Sequence, residues 1–171
     1  MTTIRRSKPS DGDRLVAIWR SSVDATHDFL SAADREAIDA EVRSFLPAAA
    51  VLLAVDDENQ GIGFMGLTEG HIESLFIDAE HRGRGLGRRF VEIAAGENPV
   101  VSTDVNEQND QALGFYHHLG FVTVGRSPLD EQGRPYPLLH LRLTNAPTGT
   151  ANDVRAISAR KSSAGAARSS G

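Results

Sequence analysis

Hydrophobic and polar positions along this chain fall into two periods, and the changes between them mark out its elements. Residues 3–8 read as a first strand. A turn follows at Pro9-Ser10-Asp11-Gly12, where Ser10 and Asp13 are spaced as a helix capping box. Leu15, Ile18, Trp19, Ser22 and Val23 then form one stripe of a helix, with Trp19 expected in the core. Ser31-x-x-Asp34 opens a second helix, with Ile38, Val42, Phe45 and Leu46 on its apolar side and Pro47 as its stop. Short β-rich runs follow at 51–55, 62–68 and 72–77, separated by polar turns at 56–61 and Glu69-Gly70. Connections that short imply an antiparallel meander. The helical period returns with Leu86, Phe90, Ile93 and Ala94 and leads to a strand at 100–105. A crossover of that length implies that this strand runs parallel to the one before it. A further helix at 110–119 ends at Gly120, and strands at 121–125 and 136–143 complete the pattern.

The stretch between 72–77 and the helix near Leu86 carries the strongest chemical signal. It turns through Asp78-Ala79-Glu80-His81 and enters Arg82-Gly83-Arg84-Gly85-Leu86-Gly87. Strand, glycine loop and helix start together make a phosphate cradle, because glycine lets backbone approach an anion and the first helical turn offers unpaired N–H groups. No Lys-Ser/Thr pair follows these glycines, so this is not a Walker loop. The spacing Gly83-x-Gly85-x-Gly87 is not the dinucleotide fingerprint either. Arg82, Arg84, Arg88 and Arg89 place four cations within eight residues. Positive charge opposes the dipole at a helix N-terminus, which favours a bound phosphate over a merely solvated helix start. Read alone, the loop is also compatible with a glycine-rich turn bearing exposed arginines. If the strands on either side of this helix splay beside the loop, their freed backbone groups could pair with a strand-like ligand.

Composition narrows the classes of function. A chain of 171 residues suits one domain with a real core. There are no cysteines, which excludes disulfides, zinc–thiolate sites and a thiol nucleophile. No apolar run approaches the ~20 residues that span a bilayer, and no hydrophobic segment follows the basic N-terminus. The cytoplasm is therefore the expected compartment, with no membrane partner. A net charge of −5 argues against nucleic acid as a partner, whose binding would instead rest on the arginine loop and a basic tail. From 145 to 171 the chain is small, polar and basic, with a net charge of +3 that leaves the remainder near −8. That segment is expected to be a disordered tail behind a domain spanning 1–144. Asp24, His27 and Asp28 have a spacing that resembles metal ligands, but they fit better as helix exit or acceptor-pocket residues, and no metal is expected.

Two motifs, Arg82-x-x-Gly85-x-Gly87 and Asn109-x-x-Ala112-x-x-Phe115-Tyr116-x-x-x-Gly120-Phe121, resemble those of the GNAT superfamily of N-acetyltransferases, in the same order and at a similar separation. The resemblance covers roughly residues 2–144. It implies an α/β (α+β) GNAT fold: a mixed twisted sheet of six to seven strands, about four helices, and central strands splayed at the cofactor site. It implies transfer of acetyl from acetyl-CoA, as donor co-substrate, to an amine by direct attack in a ternary complex. Backbone groups of Leu75, Phe76 and Ile77 would hold the cofactor arm and the oxyanion. Arg82, Gly83, Arg84, Gly85, Leu86, Gly87 and Arg88 would hold the pyrophosphate, with Arg89 a further cation, and Asn109 would contact the cofactor arm.

Tyr116 matches the family's general acid, and Asn106 would orient it or bind pantetheine. A phenol and a simple thiol, at ~10 and ~8.5, are reasonably matched. Read without the motif, Tyr116 is a core tyrosine beside Phe115, and either asparagine could cap a helix. Three residues compete as base: Asp104, Glu73 and His71, the last two placed on one face by strand parity. Freeing a lysine amine at pH 7 costs ~4.6 kcal/mol, so a lysine acceptor needs a base or a water chain more than an α-amine does. The acceptor, a small amine or a protein lysine, stays open, as does a monomer or homodimer. The rival class is a non-catalytic acyl-CoA-binding sensor, against which Tyr116 in its motif speaks.

Overall fold

A computed structural model describes residues 1–144. The expected tail, 145–171, lies outside the described residues. Among those described, seven strands form one sheet: β1 (Thr3–Arg6), β2 (Leu52–Val55), β3 (Gly61–Thr68), β4 (His71–Ile77), β5 (Val100–Asn106), β6 (Val122–Ser127) and β7 (Leu138–Thr144). Four helices accompany it: α1 (Gly12–Thr26), α2 (Ala32–Phe45), α3 (Leu86–Glu97) and α4 (Asp110–His118). The strand order is β1-β2-β3-β4-β5-β7-β6. Only β4 and β5 are parallel, so the sheet is mixed, with the expected antiparallel meander on one side. None of the described helices is long and apolar enough to cross a membrane.

Each face of the sheet has its own core. Leu15, Ile18 and Trp19 of α1 pack with Val42 and Leu46 over Leu53 and Phe64. Phe90 and Ala94 of α3 pack with Tyr116 of α4 over Met65, Val101 and Leu141. Fully burying a side chain such as Phe64 or Phe90 contributes about 1.5–3 kcal/mol, and both are completely covered.

Several local expectations shift. Asp11, not Ser10, secures the start of α1: its carboxylate accepts from the Lys8 amide at 2.7 Å and from Arg5, ahead of a helix that begins at Gly12. Phe45 ends α2 on its outer side and is 58% exposed, because the turn at Leu46–Ala48 takes over the inward contact. Tyr136 is not in the last strand, since Pro137 separates it from β7. It is buried, accepts from the Ser31 amide at 3.2 Å and donates to Asp34 at 2.5 Å. This ties the β6–β7 loop to the start of α2.

The critical irregularity is in β4. Its register with β3 slips by one residue, with Gly66 opposite Ser74 and Leu67 opposite Ile72, so Glu73 is the extra residue of a bulge. The Ser74 hydroxyl accepts from the Gly66 amide at 3.1 Å, and a Cβ on Gly66 would stand 2.7 Å from that oxygen. Glycine is therefore required for the bulge to form as it does. His71 and Glu73 remain on one face across the bulge, as strand parity expects.

One charged hub joins the two helices of the α1–α2 face. Asp39, buried on α2, accepts from Arg20 of α1 at 2.7 Å and from Arg35 and Arg43 of its own helix at 3.0 and 2.9 Å. Hydrogen bonds from Arg20, then from Arg35, hold its carboxyl far below the usual carboxylate range. A depressed folded-state value means the hub's contribution is complete above about pH 5 and is lost as pH falls through the ordinary value toward the folded one. Arg35 also stacks over Trp19, the single tryptophan, at 4.9 Å. We therefore expect Asp39→Asn to lower the thermal midpoint at pH 7 by several degrees, followed by Trp19 fluorescence. The gap to the unsubstituted protein should narrow on acidification below pH 4; a constant gap would contradict the hub.

Candidate active site

β4 and β5 pair only at His71–Ser102 and Ile72–Thr103. Beyond those positions they diverge, while residues 74–77 of β4 remain paired with β3. Thr103 sits at the point of divergence, its hydroxyl donating to the Ile72 carbonyl at 3.0 Å. The span of β4 that carries Leu75, Phe76 and Ile77 thus has a backbone edge with no strand beside it toward β5, as the expected splay requires.

A cavity of about 720 Å³ opens onto that edge. Leu75, Phe76, Ile77, Asn109 and Tyr116 line it, together with Arg82, Gly83, Gly85, Leu86, Gly87 and Arg88 of the loop. Gly83 and Gly85 have φ of +74° and +78°, and a Cβ on either would meet nothing within 4 Å. Their backbone faces open space in a conformation that disfavours other residues. No side chain caps the N-terminus of α3 and no acidic residue lies in its first turn, whereas Ser31 caps α2 and Asn109 caps α4. Unclaimed N–H groups, a positive dipole end and two arginines at the cavity are what a diphosphate needs, so the residues present fit coenzyme A.

The arginines divide. Arg82 lines the cavity and donates to Gln111 at 3.0 Å, and Arg88 lines it beside Glu92 at 3.3 Å. Arg84 is not among the lining residues, and Arg89 reaches away to the Thr2 carbonyl at 3.0 Å. Asn109 lines the cavity, but its side-chain oxygen accepts from the Ala112 amide at 3.1 Å, leaving the NH₂ group for other contacts.

Tyr116 is almost wholly buried between Phe115 and Phe121, each 5.0 Å away edge-on. Burial pushes its phenol well above the ordinary value, with the hydrogen bond to Thr103 opposing only in part. The proton is therefore held tightly, and the near match to a thiol expected from sequence is widened. Asn106, expected beside Tyr116, lies on the other side of the sheet; by strand alternation it follows Ser102 and Asp104 while Thr103 and Val105 are buried. Thr103 supplies the hydroxyl that meets Tyr116.

The α1–α2 face holds a second cavity, a groove of about 650 Å³. All three candidate bases, His71, Glu73 and Asp104, line it with Asn106, as do Asp130 and Glu131 of the β6–β7 loop. It contains four carboxylates and no lysine or arginine, over apolar surface that includes Phe45 and Leu46. Phe76 borders both cavities, so they meet across the splayed part of β4.

His27, expected at the helix exit or in an acceptor pocket, is the C-cap of α1 and lines the loop cavity. Ser22 and Thr26 line it as well. Burial, reinforced by the charge of Arg82, lowers the His27 imidazole to about 4, so it is neutral near pH 7. Its Nδ1 is 2.7 Å from the Thr26 hydroxyl, and Asp24 pairs with Arg35 at 2.9 Å, so those residues do not converge on a common point. His140, on β7, was missed by sequence reading; its only signal was its place in an alternating strand.

The residues 20–136 match the description Acetyltransferase (GNAT) domain. The chain belongs to this family and is an acyltransferase. It is 52% identical over 141 residues to the peptidyl-lysine N-acetyltransferase YjaB of Salmonella typhimurium, covering 82% of this chain and 97% of that protein. Identity to YjaB of Escherichia coli is also 52%, over 144 residues, covering 84% of this chain and 98% of the relative. The solution structure of apo-form Escherichia coli YjaB matches with a TM-score of 0.80, over 83% of this chain and 97% of that one. PaiA N-acetyltransferase of Thermoplasma acidophilum, solved in complex with coenzyme A, shares the fold at 17% identity, with a TM-score of 0.67 over 84% of this chain and 99% of that one.

The geometry of the loop leads to a binding test. Coenzyme A at a hundred times its Kd should stabilise the chain by about 2.7 kcal/mol, a rise of several degrees in Tm. Gly85→Glu, which puts a carboxylate where the diphosphate would lie and strains a positive φ, should abolish the rise, and Tyr116→Phe should keep it. An equal rise in all three proteins would remove the loop from the binding site.

Proposed function

We propose that this chain transfers the acetyl group of acetyl-CoA to the ε-amine of a lysine in a protein or peptide. The observation that carries the reading is the gap between β4 and β5, which joins a cavity bearing the glycine–arginine loop to an acidic groove on the other face. Acetyl-CoA, as donor, supplies an activated thioester carbonyl. Arg82, Arg88 and the amides from Gly83 into α3 hold its diphosphate, and the unpaired edge of β4 at Leu75–Ile77 aligns its amide-bearing arm. That edge also presents N–H groups where carbonyl charge develops.

The acceptor enters from the groove. Its carboxylates attract a cation, and the apolar surface under them suits the four-carbon stem of lysine. The chain's YjaB relatives bear the name peptidyl-lysine N-acetyltransferase, which supports the same acceptor class. Asp104, with its side chain 26% exposed against 37% for His71 and with Glu73 exposed, is the most enclosed of the candidate bases and takes the proton that the amine must lose. The amine nitrogen bonds to the acyl carbon, the carbon–sulfur bond breaks, and the departing sulfur receives a proton. Tyr116 supports that departure by donating its hydroxyl hydrogen. Because burial holds the proton firmly, the donation begins as a hydrogen bond and becomes transfer only as charge builds on sulfur.

Purified protein, acetyl-CoA and lysine peptides with basic or acidic flanks make the test, with free thiol and peptide mass followed together. Basic flanks should be preferred, and Glu131→Lys at the groove rim should raise KM for the basic peptide by about 3–10-fold. Tyr116→Phe should lower kcat by about 10²-fold. Turnover of small polyamines with no lysine peptide acetylated would overturn the acceptor assignment, as would a preference for acidic flanks.

A further inference from the structure

A row of hydrogen-bonding side chains crosses four strands beside the groove. Asp104 of β5 and His140 of β7 are direct cross-strand partners. His140 Nδ1 is 2.5 Å from Asp104 Oδ1, and its Nε2 is 2.7 Å from the Ser127 hydroxyl on β6. A carboxylate oxygen only accepts, so Nδ1 carries the hydrogen and donates it, leaving Nε2 of the neutral ring to accept from Ser127. Gly125, opposite His140 on β6, makes room for the ring: a Cβ there would stand 3.2 Å from the imidazole Cδ2. On the other side, His71 Nδ1 is 2.7 Å from the Ser102 hydroxyl, and its Nε2 faces Asp104 Oδ2 at 3.7 Å, beyond hydrogen-bond reach. One carboxylate oxygen is therefore tied back to β7 and the other is left for something else. Asp104 and His71 line the groove, whereas His140 stands behind them.

We propose that His140 is a positioning residue for acetyl transfer: its Nδ1–H fixes the Asp104 carboxyl so that Oδ2 is presented to the acceptor amine. The inference rests on the reading of Asp104 as the base. The amine's N–H bond breaks as an O–H bond forms at Oδ2, and the open groove then lets that proton leave to solvent. A carboxyl with both oxygens free would sample other rotamers, and a reacting group displaced by ~1 Å can lose 10²-fold in rate. His71, held by Ser102, closes the opposite side, so Asp104 is confined between two imidazoles in separate strands.

The experiment uses the full chain, acetyl-CoA and one basic-flanked lysine peptide. His140→Leu removes the donor, while His140→Asn keeps an N–H donor near the position of Nδ1. His140→Leu should lower kcat by about 10–100-fold with KM and the coenzyme A-induced Tm rise unchanged, and His140→Asn should recover most of the loss. With the same peptide carrying thialysine, an isostere whose amine is less basic, the deficit of His140→Leu should shrink, because that amine depends less on a base. In an Asp104→Asn background His140→Leu should cost nothing further. A low-field imidazole N–H proton resonance should be present in the unsubstituted protein and absent from Asp104→Asn. Unchanged kcat in His140→Leu would overturn the positioning role, as would equal deficits on lysine and thialysine. Full activity in Asp104→Asn would instead overturn the base assignment beneath it.

Discussion

The structure depends on one broken pairing. Parallel strands β4 and β5 share two register positions and then separate, although both continue for several residues. Backbone groups left unpaired in an interior normally cost free energy, so such a gap persists only where something else meets them. Three features make it here. The bulge at Glu73 bends β4, Gly66 admits the Ser74 hydroxyl that completes the bulge, and Thr103 closes the last bond before the strands part. The gap is an opening through the sheet, and the two cavities that meet at Phe76 are its mouths.

Everything else around the opening is held by side chains from distant parts of the chain. The Asp39 hub joins α1 to α2, and Arg134 binds Glu41 at 2.6 Å while Tyr136 reaches Asp34 and Ser31. These contacts draw the β6–β7 loop over the same face as α2, which brings Asp130 and Glu131 to the groove. On the opposite face Phe115 lies against Gly87, where a Cβ would stand 3.0 Å from the ring, and this seats α4 against the start of α3. Loop and tyrosine are thereby set on the same cavity. The acidic groove and the cavity with its arginines share only Phe76 among their lining residues, so their opposite charges are kept in separate mouths.

The elements were legible because their periods are local properties. The meander, the crossover helix and the glycine loop each follow from residues close together in the chain, and the loop's chemistry follows from what glycine and arginine can do. Misreadings came where distant contacts decide. Tyr136 reads as strand because it is aromatic and precedes an alternating run, yet its hydroxyl is claimed by α2. Phe45 fits the apolar stripe of α2, but the following turn takes its place inside. Asn106 sits close to the motif of Tyr116 in sequence, but strand alternation turns it to the other face. His140 could not be found at all, because nothing in Leu138–Thr144 announces that Asp104 lies across from it.

By itself the sequence determined the class of sheet, the place of the glycine–arginine loop between a strand and a helix, and the family to which the chain belongs. These rest on short-range pattern and on residue types with few alternatives. Tertiary structure alone decided which arginines reach the cavity, which hydroxyl meets Tyr116, and that a histidine 36 residues further along the chain is bonded to Asp104. The physical reason is that orientation across strands depends on register, and register depends on bulges and on partners drawn from anywhere in the chain.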